Sequence, residues 1–154
     1  DFQKGLVIFN EIASQDNPKY AEDVVKAKEN IKLYTNNRIA KLQGENDFDG
    51  IIAVADEMLA VNPQDALAQK IRLQALFDKK DYAGVIASAE EAAAGHTDEE
   101  ERSDVYFILG AAYNARTMPQ QAIDALSKVT AGANVAAAQK TVAQLKENAA
   151  KANS

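Results

Sequence analysis

Apolar residues return along this chain in four similar twelve-residue segments, and within each segment they follow the spacing of one face of a helix. The segments align without a gap and cover residues 1–12, 47–58, 81–92 and 118–129. In the second segment the apolar positions are Phe48, Ile51, Ile52, Ala55 and Met58. Because each of these positions has another three or four residues away, they form one stripe, and each segment is predicted to be an amphipathic α-helix.

The distance between the segments indicates the class of fold. Successive segments begin 46, 34 and 37 residues apart. A unit of about this length that recurs along a chain is typical of a solenoid, in which each repeat buries its apolar face against its neighbours. The repetition therefore predicts an all-α fold, and it favours a binding surface over a catalytic pocket.

The residues that open and close the segments are typical of helix ends. Three segments open on Asp1, Asp47 and Asp81, and a carboxylate at this position can cap a helix N-terminus. The fourth has Pro119, which is tolerated in a first helical turn. Residues that break helices follow the four segments, at Asn17-Pro18, Asn62-Pro63, Ala94-Gly95 and Ala131-Gly132.

Between the segments the spacing of apolar residues predicts a second set of helices, over 66–78 and 103–116. Thr97 and Glu100 precede the latter in the arrangement of a capping box. Residues 19–43 contain no Gly or Pro, and we predict one long helix there.

Two details of these helices depend on weaker signals. The weak helix formers Thr35-Asn36-Asn37 leave open a break of the long helix into two. A closing helix is predicted over 135–149, which would shield the last apolar face of the array. Its apolar seam would comprise Val135, Ala138, Val142, Leu145 and Ala149.

Composition narrows the functions that the fold could carry. The net charge is −6 and no basic stripe stands out, so nucleic acid is not an expected partner. No run approaches the roughly 20 apolar residues that span a bilayer, so we expect a soluble protein without membrane insertion. The chain has no cysteine, and it contains no phosphate-binding loop and no nucleophile motif. We therefore expect no catalytic residue, no metal, no cofactor and no enzymatic activity.

Two features near residue 96 contain groups that can bind metal ions, His96 and the acidic run 98–101. His96 has no second His or Cys with which to share a metal, and we expect it to be a solvated loop residue. The acidic run 98–101 lacks the alternating oxygen ligands and turn glycine of a calcium loop. Acidic residues are favoured at a helix start by the helix dipole, and this is the role we expect for the run.

The repeat most similar to a known family is 103–136. It contains Tyr106-x-x-Leu109-Gly110-x-x-Tyr113, followed by Ala122 and Leu126 on the second helix. This arrangement resembles the tetratricopeptide repeat. The resemblance implies a right-handed solenoid of antiparallel helix pairs, in which small residues let the two helices of a pair approach closely. Departures from the pattern are Ile39 and Leu73 at the Gly110 position, and Ile51 and Val85 at the Ala122 position.

The resemblance divides residues 1–154 into a single repeat domain. Residues 1–31 hold a leading helix and the start of the long helix. Three repeats follow at 32–65, 66–102 and 103–136, and residues 137–154 form the closing helix and tail. Because the chain begins inside a repeated segment, we expect that an upstream leader or further repeats precede Asp1. The compartment stays open, and a leader would make it extracytoplasmic, either periplasmic or envelope-associated.

In the tetratricopeptide family a groove lined by the first helix of each repeat binds the partner. By alignment, the resemblance implies a groove lined by Asn36, Ala40, Gln43, Lys70, Gln74, Phe77, Phe107, Ala111 and Asn114. Exposed aromatics are common binding anchors, although Phe77 and Phe107 could equally be core residues. The expected function is a scaffold or adaptor that binds a peptide or protein segment. Alternatives are an envelope repeat domain that binds a glycan or small ligand, and a structural module that self-associates.

Overall fold

The structure is a computed structural model that describes Lys4, Gly5, Val7, Glu11 and residues 21–154. This part of the chain is helical and contains no strand, which confirms the all-α prediction. The helices are α1 (Ala21–Gly44), α2 (Phe48–Val61), α3 (Ala66–Asp78), α4 (Tyr82–Ala94), α5 (Glu99–Ala115), α6 (Pro119–Leu126) and α7 (Val135–Ala152). Over the same residues, no helix has the length and apolar character that crossing a membrane requires.

The chain divides into two compact parts, Asp1–Ala68 and Gln69–Ser154. In the N-terminal part α1 packs against α2, and Arg38 of α1 donates to Glu57 of α2 over 2.9 Å. The 24 residues of α1 form one unbroken helix about 36 Å long, as predicted. Thr35 and Ile39 are its buried residues, so tertiary packing supports the helix where the weak helix formers lie. Most of the predicted leading helix, with Asp1, lies outside the described residues.

In the C-terminal part consecutive helices pack on one another, from α4 on α5 through to α6 on α7. Helices α5 and α6 approach each other closely at Gly110. A Cβ atom added to Gly110 would lie 2.5 Å from Cγ of Leu126, well inside van der Waals contact. The small residue at position 110 therefore allows the two helices to approach closely.

One turn geometry recurs in both parts of the chain. The turns that join α1 to α2, α3 to α4 and α5 to α6 each contain a residue with positive φ: Asn46 (54°), Lys80 (66°) and Thr117 (57°). The N–H of the next residue donates to the carbonyl five residues earlier, over 2.9 Å from Asp47 to Leu42, 2.8 Å from Asp81 to Leu76 and 2.9 Å from Met118 to Tyr113. This is the Schellman ending of a helix. The sequence repetition is thus matched by a repeated local structure.

Aspartates begin two of the repeated helices, as predicted. Asp47 Oδ1 accepts from the N–H of Gly50 over 2.9 Å, and Asp81 Oδ1 accepts from Gly84 over the same distance. In both caps the carboxylate folds over the glycine, where an added Cβ would lie 2.6 Å from the other carboxylate oxygen. Pro119 is the first residue of α6, also as predicted.

The predicted capping box before α5 is wrong by one residue. Asp98, and not Thr97, is the N-cap, and its Oδ1 accepts from the N–H of Glu101 over 2.9 Å. The carbonyls of His96 and Thr97 are held by the guanidinium of Arg102, at 3.0 and 2.8 Å. These bonds fix the chain ahead of Asp98 in a non-helical path, so α5 begins at residue 99.

The fourth repeated helix ends earlier than predicted, at Leu126 rather than near Ala131. Ser127 follows it, and its hydroxyl donates to the carbonyl of Ile123 over 2.6 Å. The N–H groups of Thr130 and Ala131 donate to the Ser103 hydroxyl of α5 and not to helix carbonyls. The closing helix begins at Val135 as predicted, and its Ala138 is buried with Leu126 and Val129. Ala149 is exposed, so the apolar seam is shorter than predicted.

Candidate binding surfaces

A row of polar side chains joins three elements of the C-terminal part. Lys70 Nζ of α3 lies 2.9 Å from Oδ2 of Asp104 on α5, and Asn134 Nδ2, at the start of α7, donates to Oδ1 of Asp104 over 3.2 Å. The side chains of Lys70 and Asp104 are 50% and 19% exposed. We call Lys70, Asp104 and Asn134 the polar row. It shows that α3, α5 and the start of α7 lie side by side with solvent-accessible polar groups.

Two other predicted groove residues of this part are exposed amides. Gln74 lies one turn after Lys70 on α3, and its amide donates to Asp78 over 3.0 Å. Asn114 is exposed near the end of α5. Side-chain amides both donate and accept hydrogen bonds, so these positions can bond the backbone of a bound chain.

The two predicted aromatic anchors are half-buried and contact core residues. The ring of Phe77 makes an edge contact with Tyr82, with centroids 5.3 Å apart. Phe107 packs against the buried cluster of Leu126, Val129 and Ala138. Both rings therefore contribute to packing within the C-terminal part, and each keeps a partly exposed surface.

The N-terminal part holds three of the predicted groove positions, Asn36, Ala40 and Gln43, which are exposed on α1. Asn36 borders a cleft of about 240 Å³ that the sequence analysis did not predict. We call it the Thr35 cleft, and its lining residues are Lys28, Ile31, Lys32, Thr35, Asn36, Met58, Val61, Asn62, Asp65 and Leu67. A threonine in the stripe Ile31-Thr35-Ile39, where an apolar residue is expected, was the sequence signal for it.

His96 is buried, so the expectation of a solvated loop residue is wrong. Its Nε2 lies 2.6 Å from Oε1 of Gln69 on α3, and its Nδ1 lies 3.4 Å from a carboxylate oxygen of Glu101 on α5. The imidazole thus occupies the space between two helices. The sequence does not indicate that His96 is buried, because the burial of a loop residue depends on which helices pack around the loop.

The acidic run at the start of α5 has structural partners. Asp98 caps the helix, Glu99 accepts from the hydroxyl of Thr130 over 2.7 Å, and Glu101 faces His96. Across the described residues, no group of three or more His, Cys, Asp or Glu side chains could hold a metal ion. The run is therefore accounted for by its place at the helix start.

No family model matches the sequence, and no curated protein matches it. Any assignment of family and function consequently depends on the chain's own residues and their geometry.

Proposed function

We propose that the chain is a non-catalytic scaffold or adaptor that binds a peptide or protein segment along its first helices. By first helices we mean the helices that open the predicted repeats, and the proposed surface lies on α3 and α5 of the C-terminal part. We further propose that the repeats form a tetratricopeptide-like, right-handed solenoid of antiparallel helix pairs. The recurrent turn at Asn46, Lys80 and Thr117 and the close approach at Gly110 support that arrangement.

The observation that carries the functional proposal is the polar row. The ion pair between Lys70 and Asp104 joins the first helices of two successive repeats, and Asn134 extends the row to the closing helix. Adjacent first helices thereby present one continuous surface instead of separate loops. A repeat protein that aligns its helices in this way offers an extended binding surface.

The chemistry of this surface suits a peptide. Gln74 and Asn114 place amides on α3 and α5, while Phe77 and Phe107 add partly exposed rings. Amides can bond to peptide backbone groups, and aromatic rings give contact area to apolar side chains. A surface with both kinds of group is consistent with an extended or helical segment as the partner.

A displayed peptide library, selected against the full chain, tests the proposal. We expect enrichment of a shared sequence pattern and 1:1 binding of the enriched peptides. The double variant Gln74→Arg, Asn114→Arg places bulky charges on the first helices and should weaken binding at least tenfold. The matched control is Glu90→Arg, Gln121→Arg, which changes exposed residues of α4 and α6 and should bind like the wild type.

Three outcomes would count against the proposal. The first is a selection that enriches no common pattern. The second is an equal loss of binding in the two double variants while circular dichroism shows both to be folded. The third is a dimer that persists on dilution and excludes the peptides, since a second copy would then occupy the surface.

A further inference from the structure

The Thr35 cleft contains a buried hydroxyl group without a partner. Thr35 is 3% exposed, and its Oγ1 makes no hydrogen bond to any residue that the structure describes. Threonines in helices can donate to the carbonyl oxygen four residues earlier, which here belongs to Ile31, but that bond is not formed. Because a buried, unpaired hydroxyl is unfavourable, the group marks a position that a polar ligand atom can occupy.

Apolar side chains make up much of the rest of the lining. Ile31 comes from α1, Met58 and Val61 from the end of α2, and Leu67 from the start of α3. The cleft volume of about 240 Å³ is below the roughly 300–1,000 Å³ that is typical of pockets for drug-sized ligands. Its size and lining therefore suit a small ligand with a short hydrocarbon chain.

The charged groups of the cleft favour an anion. Lys28 and Lys32 lie one helical turn apart, and neither has an ion-pair partner within the described ranges. Asp65 is the one carboxylate among the described lining residues, and its Oδ1 already accepts from the N–H of Ala68 over 3.0 Å. Two ammonium groups against one engaged carboxylate make the cleft locally positive in a chain whose net charge is −6.

We propose that the Thr35 cleft binds a small alkyl carboxylate. The hydrocarbon chain would lie against Ile31, Met58 and Leu67. The carboxylate would accept a hydrogen bond from the Thr35 hydroxyl and would be attracted by the two lysine ammonium groups. No residue of the polar row lines this cleft, so either proposal can fail without the other.

Titration of the ¹⁵N-labelled full chain with octanoate tests the assignment. We expect saturable 1:1 binding, with amide shifts over residues 28–36 and 58–67. The more open concavity between α6 and α7, which contains Val142, serves as an internal control and should show no shifts. Butyrate should bind much more weakly because it buries fewer methylene groups. Octylammonium, with the same chain and the opposite charge, should not saturate the site.

Three variants separate the contributions of hydroxyl and charge. Thr35→Val keeps the side-chain shape without the hydroxyl and should weaken octanoate binding about tenfold, the loss expected for a hydrogen bond to a charged acceptor. The exposed double change Lys28→Gln, Lys32→Gln should weaken it by a similar factor. Lys41→Gln alters a lysine of α1 that does not line the cleft and should leave the affinity unchanged.

The proposal would be overturned by shifts that never saturate, by equal affinity of octanoate and octylammonium, or by unchanged affinity in both the threonine and the lysine variants. Saturation by the peptide acetyl-Glu-Leu-Glu-amide but not by octanoate would assign the cleft to a protein partner instead. Loss of the octanoate response as the protein associates at high concentration would show that a second copy covers the cleft, which also contradicts the proposal.

Discussion

Two hydroxyl side chains are buried in the described part of this protein, and their surroundings are opposite. Ser103 is 1% exposed, and its Oγ accepts from the N–H groups of Thr130 and Ala131, each over 3.1 Å. Thr35 is 3% exposed and has no partner. The first hydroxyl stabilises a turn, and the second faces a cleft. The contrast teaches that a buried polar group becomes informative about binding only after its hydrogen bonds have been assigned.

The helices that carry the two hydroxyls also differ in how tightly they pack against their neighbours. Two helical turns after Ser103, helices α5 and α6 approach so closely that Gly110 leaves no room for a methyl group. Near Thr35, α1 and α2 leave a cleft of about 240 Å³. Five substitutions test whether this difference separates a structural region from a binding region.

The largest effect is expected at Gly110. Gly110→Ala would place a methyl group 2.5 Å from Leu126 Cγ and should lower the free energy of unfolding by about 3 kcal/mol, the upper range for overpacking. Urea denaturation measures the change. Gly44→Ala is the control, because nothing lies within 4 Å of its added Cβ, and it should be neutral or slightly stabilising. If the two variants were equally stable, α5 and α6 would not be tightly packed at Gly110.

Ser103→Ala should have the next largest effect. It removes the acceptor of two backbone N–H groups and should lower the free energy of unfolding by about 2 kcal/mol. Amide hydrogen exchange offers a sharper measurement, since the N–H groups of Thr130 and Ala131 should exchange faster while those of α4 keep their protection. A variant as stable as the wild type, with unchanged exchange, would show that Ser103 has no structural role.

The aspartate caps should show what the two regions share. Asp47→Ala and Asp81→Ala each remove one side-chain bond to a glycine N–H and should each cost about 1 kcal/mol in thermal or urea unfolding. Replacement of either aspartate by Asn or Ser should restore most of the loss, because these side chains also cap. If only one of the two alanine variants lost stability, the two repeated helices α2 and α4 would not be capped in an equivalent way.

The features that could be predicted from sequence are those determined by residues close together in the chain. The caps at Asp47 and Asp81 span three residues, and the bounds of α3 match the prediction of 66–78. Apolar spacing likewise identified Ile51 and Ala55 as positions that are buried. Such features are visible in one sequence because each is decided within one or two helical turns.

The features that sequence analysis missed depend on residues far apart in the chain. His96 is buried because Gln69 and Glu101 lie on either side of its loop. The partners of Ser103 lie 27 and 28 residues away, and they also set the early end of α6. The Thr35 cleft is lined by residues of three helices. A threonine in an apolar stripe indicates where it lies, but the gap itself depends on how the helices pack. The groove positions taken from the resemblance stay predictions, and the structure places them in both parts of the chain.

The most direct test of the contrast is the stability of Thr35→Val, with Thr141→Val as its control. The Thr141 hydroxyl donates to the carbonyl of Ala137 over 3.0 Å, so it is already satisfied. Because valine removes a buried, unpaired hydroxyl, Thr35→Val should raise the free energy of unfolding by about 1 kcal/mol in urea titration. Thr141→Val should leave it unchanged or slightly lower. A stability gain at position 35 is the predicted result, and a loss at position 35 would contradict the account, since Thr35 would then be as structural as Ser103.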